Sequence, residues 1–470
     1  MQTATETERK YDVSGDFALP DLTGLGEPET HDLDATYYDT DDLRLARHKR
    51  TLRRRTGGTD AGWHLKTPGD GSSRTEHRLP VDGAEVPGEM VDEVRAIVRD
   101  RALNPVARLR TRRIETPLRA DDGRVLALIA QDKVTADTDA GSQTWQEVEV
   151  ELVDGDAKLL KTVERKLLKA GAKPASGPSK LARALGDRLT AVATPAPEDP
   201  VLRYVREQRD AIQAYDPGVR RGDPDAVHKM RVATRRLRST LKTFKRSFPT
   251  DRAEFLKPEL KWLAGQLGEV RDGQVLEGKL LAAIEQEGPE FAPVADKVRA
   301  YLDAKVENGR LALAEDLNGA RYLTLLDAID ELTDEADFRA TDELKRTRAV
   351  LHKADRMLDA ATLVDEDEPL HEARKAYKQA RYAVEVFAPD GGKAAKKFVS
   401  RLTDLQDVLG HHQDAAVARE ILRDLSRQVD DAFPYGILYA RQEQVGRDTV
   451  GDLPEVTAAS REPGLRAWLS

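Results

Sequence analysis

The sequence predicts an α+β multidomain chain, with antiparallel strands first and an all-α region after them. Three observations predict this division. Apolar and polar residues alternate in short runs up to about residue 155, whereas spacings of three and four residues prevail after about residue 200. A proline-containing stretch without periodicity, 191–200, separates the two patterns. The chain of 470 residues is long enough for two or three domains of common size.

The first region is predicted to be a meander of hairpins. Turn residues punctuate it, as at Gly57-Gly58 and Asp121-Asp122-Gly123. Strands are expected at 11–13, 36–39, 50–56, 63–67, 74–80, 106–118, 124–134 and 144–152. One helix is expected between them, because Val91, Val94 and Ile97 fall on one helical face. Two further helices, at 157–170 and 178–189, are expected to close the region.

Charged side chains recur at every second position of these strands, so each set lies on one face. A sheet with its charged face in water would explain any single strand. Repetition over many strands favours a sheet closed around a charged lumen. Cations suit phosphate oxygens and carboxylates suit Mg²⁺ or Mn²⁺, so the mixture favours a metal–phosphate complex. The sets are Glu6, Glu8 and Lys10; Arg53 and Arg55; His64 and Lys66; Glu76 and Arg78; Arg108, Arg110 and Arg112; and Glu147, Glu149 and Glu151.

The first region, over roughly residues 1–190, resembles the CYTH domains, the triphosphate tunnel metalloenzymes. The matching segments are Glu6-x-Glu8-x-Lys10, Tyr37-Tyr38-Asp39-Thr40, Leu52-Arg53-Arg54-Arg55, Leu65-Lys66, Glu76-x-Arg78, the arginines from Arg108 to Arg112, Asp132, Glu147-x-Glu149-x-Glu151 and Ser179-Lys180. The first of these is a weak signal alone, and the ordered remainder strengthens it. The resemblance implies an eight-stranded antiparallel tunnel that hydrolyses a triphosphate with the help of a divalent metal.

The resemblance also implies roles for individual side chains. Carboxylates would hold Mg²⁺ or Mn²⁺, namely Glu6, Glu8, Asp132, Glu147, Glu149 and Glu151. Cations would bind the phosphate chain, namely Arg53, Arg55, Arg78, Arg110, Arg112 and Lys180. The catalytic set would be Glu6, Glu8, Lys10 and Lys66. We expect the metal and these cations to stabilise charge that develops on the transferred and leaving oxygens. Inorganic triphosphate is the favoured substrate, because no base-recognition motif is found.

The all-α region contains an internal repeat. One set of residues recurs at a constant offset of 143 (371 − 228), and a second motif, Leu267-Gly268-x-x-Arg271-Asp272, recurs as Leu409-Gly410-x-x-Gln413-Asp414. The first set is His228, Arg231, Arg235, Arg238 and Phe244, matched by His371, Arg374, Lys378, Arg381 and Phe387. Two copies of one helical unit predict two bundles related by a pseudo-two-fold axis.

Each copy of this repeat contains a stripe of basic residues. From Ala226 to Thr250 there is no aspartate or glutamate, and the cations fall at spacings of three and four on one helical face. A solvated charged face is the usual explanation of such a stripe. Like charges one turn apart repel, however, and the stripe occurs twice, which favours an anion site.

The region from about Val201 to the low 460s resembles a CHAD domain, the conserved histidine α-helical domain. The resemblance implies two bundles with a basic central surface that binds inorganic polyphosphate. The residues expected there are His228, Arg231, Arg235, Arg238, Lys242, His371, Arg374, Lys378 and Arg381. Because Gln413 and Lys378 stand where the first copy has Arg271 and Arg235, weaker binding by the second copy is expected. The predicted bounds are 1–190 for the first domain, 191–200 for a linker and 201–465 for the second domain.

Composition limits the alternatives. The net charge of -9 disfavours wholesale nucleic-acid binding, and aromatic residues for base stacking are sparse among the basic helices. The sequence has no cysteine, signal peptide or apolar run of about 18 residues, so we expect a cytoplasmic protein, free or at polyphosphate granules, without a membrane partner. The remaining alternative is a non-catalytic protein that binds polyphosphate or a nucleotide. The oligomeric state does not follow from the sequence.

Overall fold

The computed structural model describes residues 1–69, 73–80, 83–192, 197–333, 337–364 and 366–469. The chain separates into two compact units, Met1–Pro195 and Ala196–Ser470. The predicted linker, 191–200, lies in part outside the described residues. The helix before it ends at Val192 and the helix after it begins at Pro200. The three domain bounds given above stay a prediction.

The first unit is built on a single antiparallel sheet, with ten strands among the described residues. They are β1 Gln2–Glu6, β2 Glu8–Val13, β3 Glu29–Asp39, β4 Thr51–Thr56, β5 Gly62–Pro68, β6 Arg74–Leu79, β7 Asn104–Arg119, β8 Val125–Thr138, β9 Gly141–Leu152 and β10 Lys173–Pro174. Their order across the sheet is β1-β6-β5-β4-β3-β7-β8-β9-β2-β10.

The sheet curls until its two ends meet at the N-terminal segment. β1 pairs with β6 and β2 pairs with β9, yet only Thr7 separates β1 from β2 along the chain. One nearly continuous segment therefore joins both ends of the strand order. Eight strands remain when this segment counts as one strand and the two-residue β10 is set aside, which confirms the predicted antiparallel tunnel.

Short helices cover the tunnel of the first unit. They are α1 Arg44–Arg47, α2 Gly88–Val98, α3 Ala157–Lys169, α4 Lys180–Leu185 and α5 Asp187–Val192. The predicted helix 178–189 is divided into α4 and α5 at Gly186, whose φ is 47°. α3 packs on Val148 and Val150, on the outer face of β9. α4 packs through Leu181 and Leu185 on the lumen face and fills one end of the tunnel.

The second unit is helical and repeats its architecture. Its helices are α6 Pro200–Arg220, α7 Pro224–Thr243, α8 Thr250–Glu285, α9 Ala292–Asn318, α10 Ala320–Leu332, α11 Glu343–Ala361, α12 Asp367–Glu385, α13 Gly392–Ser426, α14 Phe433–Ser460 and α15 Pro463–Arg466. The lengths of α6 to α9, which are 21, 20, 36 and 27 residues, recur in α11 to α14 as 19, 19, 35 and 28 residues. This recurrence confirms the predicted pseudo-symmetric bundles.

Local sequence explains where the first helices of each pair begin. Asp199 and Asp223 cap α6 and α7, each followed by a proline at the first helical position. One apolar core lies within the second copy, between α11, α12 and α13. Another joins the copies, because the C-terminal part of α8 and the N-terminal part of α9 pack on α13 and α14. Among the described residues no helix is long and apolar enough to cross a membrane.

Candidate active site and anion-binding surface

The tunnel of the first unit holds a charged cavity. Its empty space, including the open mouth, is about 790 Å³. Eight cationic and six carboxylate side chains line it, so the cavity is positive overall without being purely basic. It brings together these residues of the predicted set: Glu6, Glu8, Lys10, Arg53, Arg55, Lys66, Arg78, Glu149, Glu151 and Lys180. Alternation along the strands, together with the family resemblance, therefore predicted ten of the fourteen charged residues of the lining.

Carboxylates meet where β2 runs beside β9. Glu8 lies directly opposite Glu151, and Lys10 lies opposite Glu149 with its Nζ 2.5 Å from a carboxylate oxygen. Like charges directly opposite each other destabilise a strand pair. Burial, with the charges of Glu6 and Glu8, raises the pKa of Glu151 to about 7. No ion pair reaches Glu151 from the part of the chain that is described, so this pair of strands carries an uncompensated acidic position.

A second carboxylate cluster lies beside the cavity. Oxygens of Asp132, Glu147 and Glu149 come within 4.8 Å of one another. Lys180 Nζ, at the start of α4, lies 2.9, 2.7 and 2.7 Å from these three carboxylates. Burial and the charge of Lys180 act on Asp132 in opposite directions, and its pKa is lowered. Both clusters offer only oxygen donors, so their chemistry fits a hard divalent cation such as Mg²⁺ or Mn²⁺.

Glu76 organises the cations on the other side of the cavity, and the sequence analysis did not place it among the functional residues. Its side chain is fully buried, and it forms an ion pair with Arg78 and lies 3.6 Å from Arg53 and 3.7 Å from Lys66. His64 Nδ1 lies 3.1 Å from the same carboxylate. Burial raises the pKa of Glu76, but this contact and the nearby cations outweigh burial and lower it. The alternation of Glu76 with Arg78 was the signal that could have found it.

Glu6 links the two sides of the cavity. Lys66 donates to one carboxylate oxygen at 2.5 Å, and Arg78 donates to the other at 3.1 Å. Burial raises the pKa of Glu6, opposed by the charge of Lys66. The first three predicted catalytic residues lie on β1 and β2 and Lys66 on β5, so the structure places all four around one space.

Arg110 and Arg112 lie outside the tunnel, which corrects their predicted position. Both are exposed, and Arg110 pairs with Asp137 at 2.6 Å on the outer face. Arg113 lines the cavity instead, with Leu109 and Thr111 of the same β7 face. Arg113 donates to Asp132 at 2.8 and 2.7 Å and to Glu149 at 2.7 Å.

A β-bulge causes this difference. Arg119 pairs with Val125, but Leu118 pairs with Ala127, so the register of β7 on β8 shifts by one residue there. A regular hairpin would have set Arg112 opposite Asp132, whereas the bulge sets Arg113 there. A shift of one residue moves each side chain of a strand to the other face.

The second unit gathers cations from both copies of its repeat. α7 and α12 pack against each other, and the charges of Arg231, Arg235 and Arg374 all act on Lys378. Burial and these charges lower the pKa of Lys378 to about 6. Among the described residues no carboxylate forms an ion pair with Lys378, Arg235 or Arg374. In the described part of the chain these three cations therefore lie without a direct ion-pair partner.

Glycines of the repeated motif lie next to two of these arginines. A Cβ on Gly268 would lie 3.5 Å from the guanidinium of Arg231, and one on Gly410 would lie 3.5 Å from that of Arg374. Arg231 also forms two hydrogen bonds of 2.7 Å with Asp272. The repeat thus preserves a packing relationship between α7 and α8, and between α12 and α13.

The other predicted residues of the anion site lie along the same two helices, at different distances from the cation cluster around Lys378. His228 extends it on α7, where burial and the charges of Arg271 and Arg231 lower its pKa. Lys242 lies about 21 Å further along the same helix, at 1.5 Å per residue, with Lys353 of α11 near it. Arg238 is exposed between them, and the Nδ1 of His371 on α12 is buried without a partner among the described residues.

Arg381 is engaged by the protein itself. Its guanidinium lies 3.3 Å from Glu385 and 3.3 Å from the hydroxyl of Thr403, and it stacks over Tyr382. Arg231 and Arg381 are therefore both held by side chains of the protein, in contrast to Arg235, Arg374 and Lys378.

Comparison with known proteins agrees with this division of the chain. The CYTH domain family matches residues 4–185, and the CHAD domain family matches residues 203–423. The uncharacterized protein Rv2226 of Mycobacterium tuberculosis is 37% identical over 506 residues, which cover 98% of this chain and 96% of that protein.

Solved structures also match part of the chain. PptA from Streptomyces chartreusis is 21% identical, with a TM-score of 0.48, over 55% of this chain and 98% of that one. The CHAD domain from the plant Ricinus communis is 25% identical, with a TM-score of 0.40, over 57% of this chain and 90% of that one. From its two domain matches and its full-length relative, the chain belongs to the family of proteins in which a CYTH domain, the triphosphate tunnel metalloenzyme fold, precedes a CHAD domain.

Proposed function

We propose that the first domain, 1–190, hydrolyses inorganic triphosphate or a related triphosphate with Mg²⁺ or Mn²⁺, and that the second domain, 201–465, binds polyphosphate. The observation that best supports this enzymatic activity is the mixed lining of the tunnel, with eight cations and six carboxylates. Cations alone would suit a simple anion site. Carboxylates among the cations suit a metal ion that binds together with the phosphate chain.

Glu6, Glu8, Glu149 and Glu151 are the residues that would hold the metal. Glu8 and Glu151 support this assignment, because they face each other in register and no ion pair reaches Glu151 from the described residues. Asp132, Glu147 and Glu149 all contact Lys180, so in this proposal that lysine positions Glu149 together with Asp132 and Glu147, which serve as a second set of metal ligands. The bound cation would supply neutralisation of charge on the phosphate oxygens.

The phosphate chain would be held by the cations across the lumen. They are Lys10, Arg53, Arg55, Lys66, Arg78, Arg113 and Lys180. Glu76 and Tyr37 fix Arg53, whose guanidinium lies 3.3 Å from the tyrosine hydroxyl. Donors held in advance stabilise developing charge without reorganising during the reaction. These residues would therefore orient the terminal phosphoryl group for attack by water.

The lining favours a substrate without a nucleobase. Leu109 and Leu181 close one side of the lumen. Tyr37 is the aromatic side chain of the lining, and it is 4% exposed with its hydroxyl on Arg53. Little ring surface is thus open for stacking on a base, which supports inorganic triphosphate over nucleotides.

Phosphate release from the purified chain tests the enzyme. Inorganic triphosphate would be supplied with and without Mg²⁺ or Mn²⁺, alongside thiamine triphosphate, ATP and long-chain polyphosphate. We expect fast metal-dependent release from inorganic triphosphate, and loss of release in the double variant Glu6→Ala, Glu8→Ala. Release from none of them, together with tight polyphosphate binding, would leave the alternative of a non-catalytic, granule-targeting protein.

Uncompensated cations at the junction of α7 and α12 support polyphosphate binding by the second domain. Arg235, Arg374 and Lys378 come from both copies and have no carboxylate partner among the described residues. A polyanion would supply the missing negative charge. Binding of long-chain polyphosphate in competition with RNA tests this assignment, and a cytoplasmic location at polyphosphate granules is checked by microscopy of a tagged chain.

A further inference from the structure

Lys378 lies half-buried at the point where the two copies of the repeat meet. α12 carries it, and the facing helix α7 presents Arg231 and Arg235. Arg374 lies one turn before it on α12 itself. An ammonium group in this position is repelled by three guanidinium groups, none of which can lose its proton. Lysine is therefore the cation of this cluster that can respond to its surroundings.

Carboxylates near the cluster compensate it only in part. Asp272 on α8 acts on Lys378, but both of its oxygens bind Arg231 at 2.7 Å. Asp414 on α13 acts on Arg374 and is paired with Lys279 at 2.6 Å. Both acidic side chains already have cationic partners. The positive charge next to Lys378 therefore persists in the free protein.

The repeat shows how this lysine differs from its counterpart. Position 378 corresponds to Arg235 of the first copy, at the offset of 143 (378 − 235). An arginine at both positions would keep every charge permanent. A lysine makes one charge of the four conditional on the ligand, because its pKa of about 6 leaves it mostly neutral at neutral pH.

We propose, on the basis of the polyphosphate binding proposed above, that capture of a polyphosphate chain at this surface takes up one proton from solvent at Lys378. The free amine accepts the proton as phosphate oxygens enter the cluster, and the resulting ammonium pairs with them. No bond to phosphorus forms or breaks in this step. Affinity then falls as the pH rises from about 6 to 8, by up to about tenfold per pH unit for one linked proton.

Calorimetry measures this uptake directly. The full chain is titrated with long-chain polyphosphate at pH 8 in two buffers of different ionisation enthalpy. This pH keeps His228 largely neutral, because burial and the neighbouring arginines lower its pKa below the ordinary histidine value of about 6.5. We expect Lys378→Arg to bind polyphosphate while taking up about one proton fewer than the unchanged chain. Lys375→Arg is the matched control, because Lys375 is exposed on the same helix and pairs with Glu372.

Each outcome decides the inference. Equal proton uptake by the unchanged chain and Lys378→Arg, with tight binding in both, would overturn the inference and leave polyphosphate binding intact. Absence of any binding would overturn both. A second variant, Lys378→Gln, guards against misfolding of the arginine variant, and thermal unfolding checks both. The glutamine variant cannot be protonated, so it should bind at pH 8 at least about tenfold more weakly than the unchanged chain, and its affinity should not fall between pH 6 and pH 8 through this position.

Discussion

Phe244 and Phe387, which occupy equivalent positions in the two copies of the helical repeat, contact each other edge to face. Their ring centroids are 6.2 Å apart and their planes are inclined by 80°. Equivalent residues can touch only where the two copies meet, close to the axis that relates them. This contact therefore locates the pseudo-two-fold axis of the second unit. The two rings lie just beyond the C-terminal ends of α7 and α12, the helices that carry the cation cluster around Lys378.

A double-mutant cycle should show that the two rings interact. We expect Phe244→Leu and Phe387→Leu to be coupled by about 0.5–1.5 kcal/mol, the usual value for a close aromatic pair. The measurement is urea unfolding of the full chain, followed by its helical circular dichroism. Phe338 contacts Phe248 instead, so a cycle between Phe244→Leu and Phe338→Leu is the control and should give additive effects. Additivity in both cycles would contradict the inter-copy contact.

The architecture of the helical half could be predicted from the sequence because the same pattern of residues occurs in it twice. The same residues occur twice at a constant spacing, so two related bundles followed from the repeat, whereas the contact between α7 and α12 comes from the structure. What spacing could not give is how each cation is paired. Arg381 lies in the predicted stripe, but its partner Thr403 belongs to a helix that sequence does not place beside it.

The tunnel shows a different limit of sequence reasoning. Alternation defines two faces of a strand without deciding which face is inside. On β9 the apolar residues Val148 and Val150 settled the choice, since they must pack under α3. On β7 the adjacent Arg112 and Arg113 offered no such guide. A one-residue bulge at Leu126 of β8, between the pairs Leu118–Ala127 and Arg119–Val125, then set Arg113 opposite Asp132, and no turn residue in the sequence marks it.

Arginines on the two faces of the tunnel wall should differ in their effect on activity. Arg53→Ala removes a donor held in the lumen by Glu76 and Tyr37, so we expect kcat/KM for inorganic triphosphate to fall by about 10²–10³. Arg112→Ala removes an exposed outer side chain and should change it by less than about twofold. Steady-state phosphate release measures both. Comparable losses in the two variants would place the substrate outside the lumen.

Divalent metal should stabilise the first domain through its carboxylates. In metal-free protein, Glu151→Gln should raise the free energy of unfolding by about 0.2–1 kcal/mol, because it removes the repulsion with Glu8 across the strand pair. With Mg²⁺ or Mn²⁺ the unchanged chain should become the more stable of the two proteins. A metal concentration a hundredfold above Kd adds about 2.7 kcal/mol to the free energy of unfolding of the unchanged chain only.

Thermal unfolding with metal and with a chelator measures this reversal. Glu29→Gln is the control, because Glu29 is exposed on β3 and away from the lining. A Glu151→Gln protein that gains as much stability from metal as the unchanged chain would exclude Glu151 as a ligand. An equal response of the Glu29→Gln and unchanged proteins is required for the comparison.

Acid should weaken the second unit through Asp355. Its carboxylate accepts hydrogen bonds from Tyr377 at 2.7 Å and Arg466 at 2.6 Å. Burial alone would raise the pKa of Asp355, but these bonds outweigh it and lower the pKa below its ordinary value. A carboxylate with a lowered folded-state pKa contributes stability above the unfolded value of about 3.9 and loses it as the pH falls through the folded value.

Asp355→Asn should therefore cost about 1.5–3 kcal/mol at pH 7, the usual value of hydrogen bonds to a charged group, and less as the pH falls below about 4. Urea unfolding across this pH range measures the difference. Asp359→Asn is the matched control, because Asp359 likewise pairs with an arginine, Arg461, but is 60% exposed. This substitution should change the free energy of unfolding by less than about 1 kcal/mol. A cost for Asp355→Asn that is the same at pH 7 and pH 3 would show that packing, and not the charge of this carboxylate, holds the end of the chain against α11.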